Sequence, residues 1–127
     1  MQTITLVTGG AGFIGSHVVE RLLAEGHVVR ILNDFSTGDE DNLRDVSDKI
    51  QLIKGSILDK ELVRGAVAGC QTVIHLAALT SVPDSIKRPS DYMEVNVVGS
   101  SNVLAAAKDA GVRRVVMASS AAVYGNE

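Results

Sequence analysis

A run of glycines at the exit of a short apolar segment constrains this chain more than any other feature. Thr3–Thr8 is brief and β-branched, the pattern of a buried strand, and it leads into Thr8-Gly9-Gly10-Ala11-Gly12-Phe13-Ile14-Gly15-Ser16. Gly12–Glu25 follows with Ile14, Val18, Leu22 and Leu23 at helical spacing, and Gly26 stands where a left-handed helix end is wanted. A strand that turns through glycines into a helix gathers backbone N–H groups at the helix N-terminus, where they face an anion. In this setting Gly9 suits the tight turn, Gly12 clears the approach of a pyrophosphate, and Gly15 lets helix and strand pack closely. The alternative is a glycine-rich turn that binds nothing. Agreement between the motif and its strand–turn–helix setting favours the binding loop.

Beyond Gly26 the alternation continues. His27–Leu32, Ile50–Ile53, Thr72–Leu76 and Arg114–Ser119 have strand character. Asp59–Ala68 is helical, starting at Asp59 and stopping at Gly69, and Pro89–Ala110 is a long helix ending at Gly111. Asn33–Asp45 is polar and suits a loop with a short helix. Strands separated by helices run parallel, and right-handed crossovers place helices on both faces. The expected fold is α/β: a Rossmann-type doubly wound parallel sheet of five strands in the order 3-2-1-4-5. Its ligand crevice lies at the carboxyl ends of strands 1 and 4.

Composition narrows the classes further. With 127 residues the chain makes one domain, 1–127, and the 46% hydrophobic content with only 3% aromatics suits aliphatic strands under helices. A net charge of −3 without a Lys/Arg stripe lends no support to nucleic-acid or anionic-membrane binding. No segment approaches the ~20 apolar residues that span a bilayer, and the N-terminus lacks the pattern of a signal peptide. The single cysteine, Cys70, fits a reducing compartment. A cytoplasmic protein without a metal site is expected.

Several further segments carry a resemblance: Asn33-Asp34-Phe35-Ser36-Thr37-Gly38, Gly55-Ser56-Ile57, His75-Leu76-Ala77-Ala78, Asn96-Val97-Val98-Gly99 and Ser119-Ser120-Ala121-Ala122-Val123-Tyr124-Gly125. With the Gly-x-x-Gly-x-x-Gly loop, the chain resembles the extended short-chain dehydrogenase/reductase family, specifically its nucleotide-sugar epimerases and dehydratases. The resemblance implies NAD as cofactor, bound by Gly9, Gly12, Phe13, Ile14 and Gly15 and by the segment Asn33, Asp34, Phe35, Ser36, Thr37 and Gly38. Asn33 stands where the family usually has the acid that bonds the adenosine ribose; Asp34 either compensates or is a solvated loop acid. Because no Arg or Lys follows closely enough to meet a 2′-phosphate, NAD is expected over NADP. Ser56 replaces the acid that meets the adenine amino group, and its hydroxyl accepts more weakly than a carboxylate. Ile57 would add backbone or apolar contact with adenine. With both usual acids replaced, reduced cofactor affinity is expected.

Leu76, Ala77, Ala78, Leu79 and Thr80 correspond to the segment running under the phosphates and nicotinamide ribose, although Ala77 and Ala78 also suit plain close packing. His75 is expected as a satisfied core histidine. Val95 matches a position that touches the cofactor, and Asn96, mid-helix, suits a bond to backbone across the site. Ser119 lies beside the cofactor, and Ser120 matches the catalytic hydroxyl that bonds the sugar hydroxyl being oxidised. The family's Tyr-x-x-x-Lys pair does not occur in the sequence, and Tyr124 has no lysine four residues on. The resemblance therefore implies an N-terminal portion of a nucleotide-sugar 4-epimerase or dehydratase with a truncated sheet. Ala121 and Ala122, where dehydratases carry Asp-Glu, favour the epimerase. A non-catalytic dinucleotide-binding module and a reductase of small carbonyl compounds remain as alternatives, and self-association through an open strand 5 edge is expected.

Overall fold

The computed structural model describes residues 3–126. Strands β1 (Ile4–Thr8), β2 (Val28–Asn33), β3 (Ile50–Lys54), β4 (Thr72–His75) and β5 (Arg114–Met117) form one sheet in the order β3-β2-β1-β4-β5. All four pairings are parallel. This is the order expected from sequence, and the direction of winding reverses between β1 and β4.

Alternation along β1 divides the core in two. Leu6 points to one face, where Val63, Ala66 and Val67 of α2 (Lys60–Val67) and Val103, Ala106 and Ala107 of a later helix cover it. Val7 points to the other, beneath Val19 of α1 (Phe13–Ala24) and Leu43 of the 3-10 segment Glu40–Lys49. Burying a Val or Leu side chain contributes roughly 1.5–3 kcal/mol, so these two aliphatic layers supply the main stabilisation.

Local signals set the helix limits. The Asp59 carboxylate accepts from Leu62 N at 3.1 Å, capping α2, and Gly26, Gly69 and Gly111 all take positive φ after helices. In α1 the buried face runs through Gly15, Ser16 and Val19, whereas Ile14, expected to point inward, is 66% exposed. Small side chains at Gly15 and Ser16 let that face approach the core, turning Ile14 outward and leaving Val18 and Leu22 as flanking contacts.

Two other expectations are corrected. The long helix over Pro89–Ala110 is a composite: α4 (Pro89–Met93), a π-helical turn (Glu94–Gly99) and α5 (Ser100–Asp109). A further short helix, α3 (Val82–Lys87), precedes it, with Pro83 in its first turn and the Ser81 hydroxyl accepting from Asp84 N at 3.3 Å. Strand β5 stops at Met117 rather than Ser119, and a single 3-10 turn (Ala121–Tyr124) follows.

Candidate functional site

At the carboxyl end of β1 the chain turns through Gly9 (φ +73°), whose N–H donates to Leu32 O at 2.8 Å. A Cβ on Gly9 would lie 2.8 Å from Ala77 N, and one on Gly15 would lie 2.2 Å from Gly9 O. Both positions thus demand glycine, Gly15 because α1 starts directly against the loop that precedes it. Gly12 differs: a Cβ there would meet only Gly9 O, at 3.3 Å, and otherwise open space. Immediately after it, the N–H groups of Phe13 and Ile14 find no acceptor among the described residues, and no side chain caps the helix. An open cradle beside unpaired amides at a helix N-terminus fits a dinucleotide pyrophosphate.

Opposite the loop, the end of β4 is fastened by a buried polar chain. Thr8 Oγ1 accepts from Leu76 N (3.0 Å) and Ala77 N (3.1 Å) and lies 2.6 Å from His75 Nδ1. With two N–H groups already donating to it, the Thr8 hydroxyl gives its own proton to Nδ1. His75 is therefore the Nε2–H tautomer, and Nε2 donates to Ser100 Oγ at 2.9 Å. Burial holds the His75 pKa below the ordinary histidine value, keeping the ring neutral. His75 is 4% exposed and satisfied, as expected.

The π-helical turn has a positional consequence. Asn96, lying in it, accepts from Leu79 N and donates to Leu79 O, both at 2.9 Å. This two-point grip holds the segment from Leu76 to Thr80 at the mouth of the crevice, with Ala78 and Thr80 exposed along it. Gly99 closes the turn where a Cβ would come within 2.4 Å of Ile57 Cδ1. Ile57 is accordingly buried at 4%, and its carbonyl accepts from Asn102 Nδ2 at 3.0 Å. Ser56 Oγ accepts from Leu58 N at 3.1 Å, and Val95 packs against the α2–α5 core.

At the end of β2, Asn33 is 7% exposed and accepts from Ala11 N at 3.3 Å. Asp34 is exposed and turned back on Ser36, Phe35 has φ +60°, and Gly38 packs against Asn33 and Ala11. Thr37 is exposed, as are Ser119 and Ser120; the Ser120 hydroxyl accepts from Ala122 N at 3.1 Å. Phe13 is 79% exposed, its ring edge-to-face with His17. The structure thus gathers the glycine loop, the end of β2 and the Leu76–Thr80 segment around one crevice. Sequence reasoning missed three supporting residues, Thr8, Ser100 and Ala11. Thr8 carries the one available signal, a polar side chain at the last position of β1, directly before the glycines.

Fold and loop together define a Rossmann-type dinucleotide-binding unit. The chain belongs to the NAD dependent epimerase/dehydratase family, a model of which matches residues 5–127. It is 48% identical over 126 residues to the UDP-glucose 4-epimerase of Mycolicibacterium smegmatis, covering 95% of this chain and 40% of that protein. Among solved structures it is similar to UDP-glucose-4-epimerase from Stenotrophomonas maltophila with bound NAD and formylated UDP-arabinopyranose. That match has a TM-score of 0.91 and 36% identity, over 99% of this chain and 39% of the other. A dTDP-glucose 4,6-dehydratase of Streptomyces venezuelae with NAD and TYD bound superposes with a TM-score of 0.84 at 38% identity, over 89% of this chain and 38% of that one. The chain spans about two fifths of the length of these relatives.

Proposed function

We propose that this chain forms the NAD-binding part of a nucleotide-sugar 4-epimerase. The observation that carries the reading is the open cradle at Gly12 beside the unpaired amides of Phe13 and Ile14, faced across the crevice by a segment that Asn96 grips at Leu79. When bound, NAD supplies a hydride acceptor and donor. The protein's part here is to hold and orient it: Gly9, Gly12, Phe13, Ile14 and Gly15 at the pyrophosphate, the Asn33–Gly38 segment with Ser56 and Ile57 at the adenosine, and Leu76–Thr80 with Val95, Asn96 and Ser119 toward the nicotinamide end. Ser120, on the turn after β5, offers its hydroxyl to the sugar hydroxyl being oxidised. Lacking a Tyr-x-x-x-Lys pair, these 127 residues hold no tyrosine base beside a lysine.

Ala121 and Ala122, in place of an acidic pair, support epimerase over dehydratase. We propose a cytoplasmic location, a reading supported by the single cysteine, Cys70, a buried free thiol whose pKa burial raises. Among the described residues no helix is long and apolar enough to cross a membrane.

Gly12→Ala tests the reading, because Gly12 already has φ −74° and an added methyl group would meet only Gly9 O, at 3.3 Å, which a shift of a few tenths of an ångström relieves. Thermal melting should show a cost of about 1 kcal/mol or less, the range for alanine at a helix N-cap. Calorimetric titration should show NAD binding to the wild type and at least ~10-fold weaker binding to the variant, one lost contact of about 1.4 kcal/mol. Equal affinity in both would remove the loop from the site.

A further inference from the structure

The side chain that the family pattern assigns to the adenosine ribose is, in this chain, committed to something else. Asn33 Oδ1 accepts from the N–H of fully buried Ala11, and its amide nitrogen lies against Gly38. The Ala11 carbonyl in turn accepts from Asp39 N (3.2 Å) and Asn42 Nδ2 (2.8 Å). Asn33, Ala11, Gly38, Asp39 and Asn42 therefore make one knot tying the glycine loop to the chain that leaves β2. A neutral amide suits so buried a place better than a carboxylate, whose charge would lose its hydration.

Asp34 is the converse. It is exposed; Oδ1 accepts from Ser36 N (3.0 Å) and Ser36 Oγ (2.8 Å), while Oδ2 has no partner among the described residues. The residue after it is strained. Phe35 takes φ +60°, a left-handed conformation unfavourable for a residue that bears a side chain, and its ring lies 5.5 Å beneath the Lys54 ammonium. Strain of this kind persists where the surroundings impose it, and here it turns the chain sharply just past the Asp34 carboxylate. Lys54, over this turn, is paired with Glu40, and Asp39 and Asp41 add negative charge nearby in sequence.

We propose that selection of NAD against NADP in this chain is carried by Asp34, and that Asn33 is a positioning residue that latches the glycine loop. The inference rests on the NAD-binding reading. A carboxylate favours a free ribose 2′-hydroxyl and repels a 2′-phosphate, and Asp34 presents the free carboxylate oxygen that Asn33 lacks.

Separate calorimetric titrations with NAD and NADP, on the wild type, Asp34→Asn and Asn33→Ala, test this. Asparagine at position 34 keeps the oxygen that accepts from Ser36, so the turn survives and only the charge is lost. The wild type should bind NAD at least ~10-fold more tightly than NADP, the scale of one charge-assisted hydrogen bond. In Asp34→Asn that ratio should fall to within about 3-fold. Asn33→Ala should lower the melting temperature and weaken both dinucleotides by the same factor, leaving the ratio intact. An unchanged ratio in Asp34→Asn, or a ratio that collapses in Asn33→Ala, overturns the division of roles while leaving NAD binding in place. Failure of the wild type to bind either dinucleotide overturns the NAD-binding reading itself, and this inference with it.

Discussion

His75 shows how one residue can set the chemistry of a strand end. Its ring must accept at Nδ1 and donate at Nε2, because Thr8 has no other group to receive its proton. Protonating the ring would place two donors face to face. The native pKa is depressed by burial, so the folded state favours the neutral ring and the unfolded chain binds the proton more readily. His75's contribution to stability is then fully present above the ordinary histidine pKa of about 6.5 and is lost as pH falls toward the native value. The expected result is a melting temperature that declines below about pH 6.5 in the wild type and declines less in His75→Gln. A parallel decline in both would show that the ring's titration is not the cause. Some of this scale was legible in the sequence. The Asp59 cap, Asn96 bonding to backbone and a buried, satisfied His75 all follow from residue type and place in the pattern. The partners were not legible, because Thr8 and Ser100 meet His75 only through the register of β1 with β4 and the packing of α5.

Among the elements, the π-helical turn at Glu94–Gly99 has the most direct bearing on the site. Two different contacts fix it, Asn96 on Leu79 from within the turn and Gly99 against Ile57 at its end. Wide turns of this kind inside helices recur at functional sites. Asn96→Ala removes both bonds to Leu79, and each ordinary hydrogen bond contributes roughly 0.5–1.5 kcal/mol, so the expected loss is about 2 kcal/mol. Amide exchange should accelerate at Leu79 while α2 stays protected; uniform acceleration across the fold would show that the grip is not local. Helical periodicity over Pro89–Ala110 could reveal a helix but not its widened turn, since no residue type signals an i→i+5 bond and the segment is a single turn long. Helix α3, only six residues long, is too short to show a periodicity of its own. That short helix is held by Asp84, which pairs with Arg88 and accepts from the Tyr92 hydroxyl at 3.0 Å. The Arg88 guanidinium keeps the Asp84 carboxyl below its usual range.

For the whole molecule, strand order, direction and the two-faced core all followed from the regular alternation of strand and helix, because parallel connection and crossover handedness leave few alternatives. Surface exposure followed less closely. Strand β5 is the outer strand on its side, and Val116 and Met117 stay 48% and 46% exposed although the sequence pattern matches a buried strand. Apolar patterning reports what a segment can bury, not what covers it. An uncovered apolar edge strand recruits other chains, and we propose self-association through β5. Sedimentation velocity should show a concentration-dependent dimer or larger species for the wild type and a monomer for Val116→Lys; a monodisperse wild-type monomer at high concentration would contradict this.

The reading of the glycine loop as the site where Phe13 and Ile14 amides hold NAD stands or falls on those two N–H groups. A two-dimensional amide NMR titration of the 127-residue chain with NAD tests it residue by residue. The largest shifts are expected at Phe13 and Ile14, with further shifts at Asp34 and Leu79 and little change in α2. Saturable shifts elsewhere that leave Phe13 and Ile14 unmoved, or no shifts at all at millimolar NAD, would contradict it.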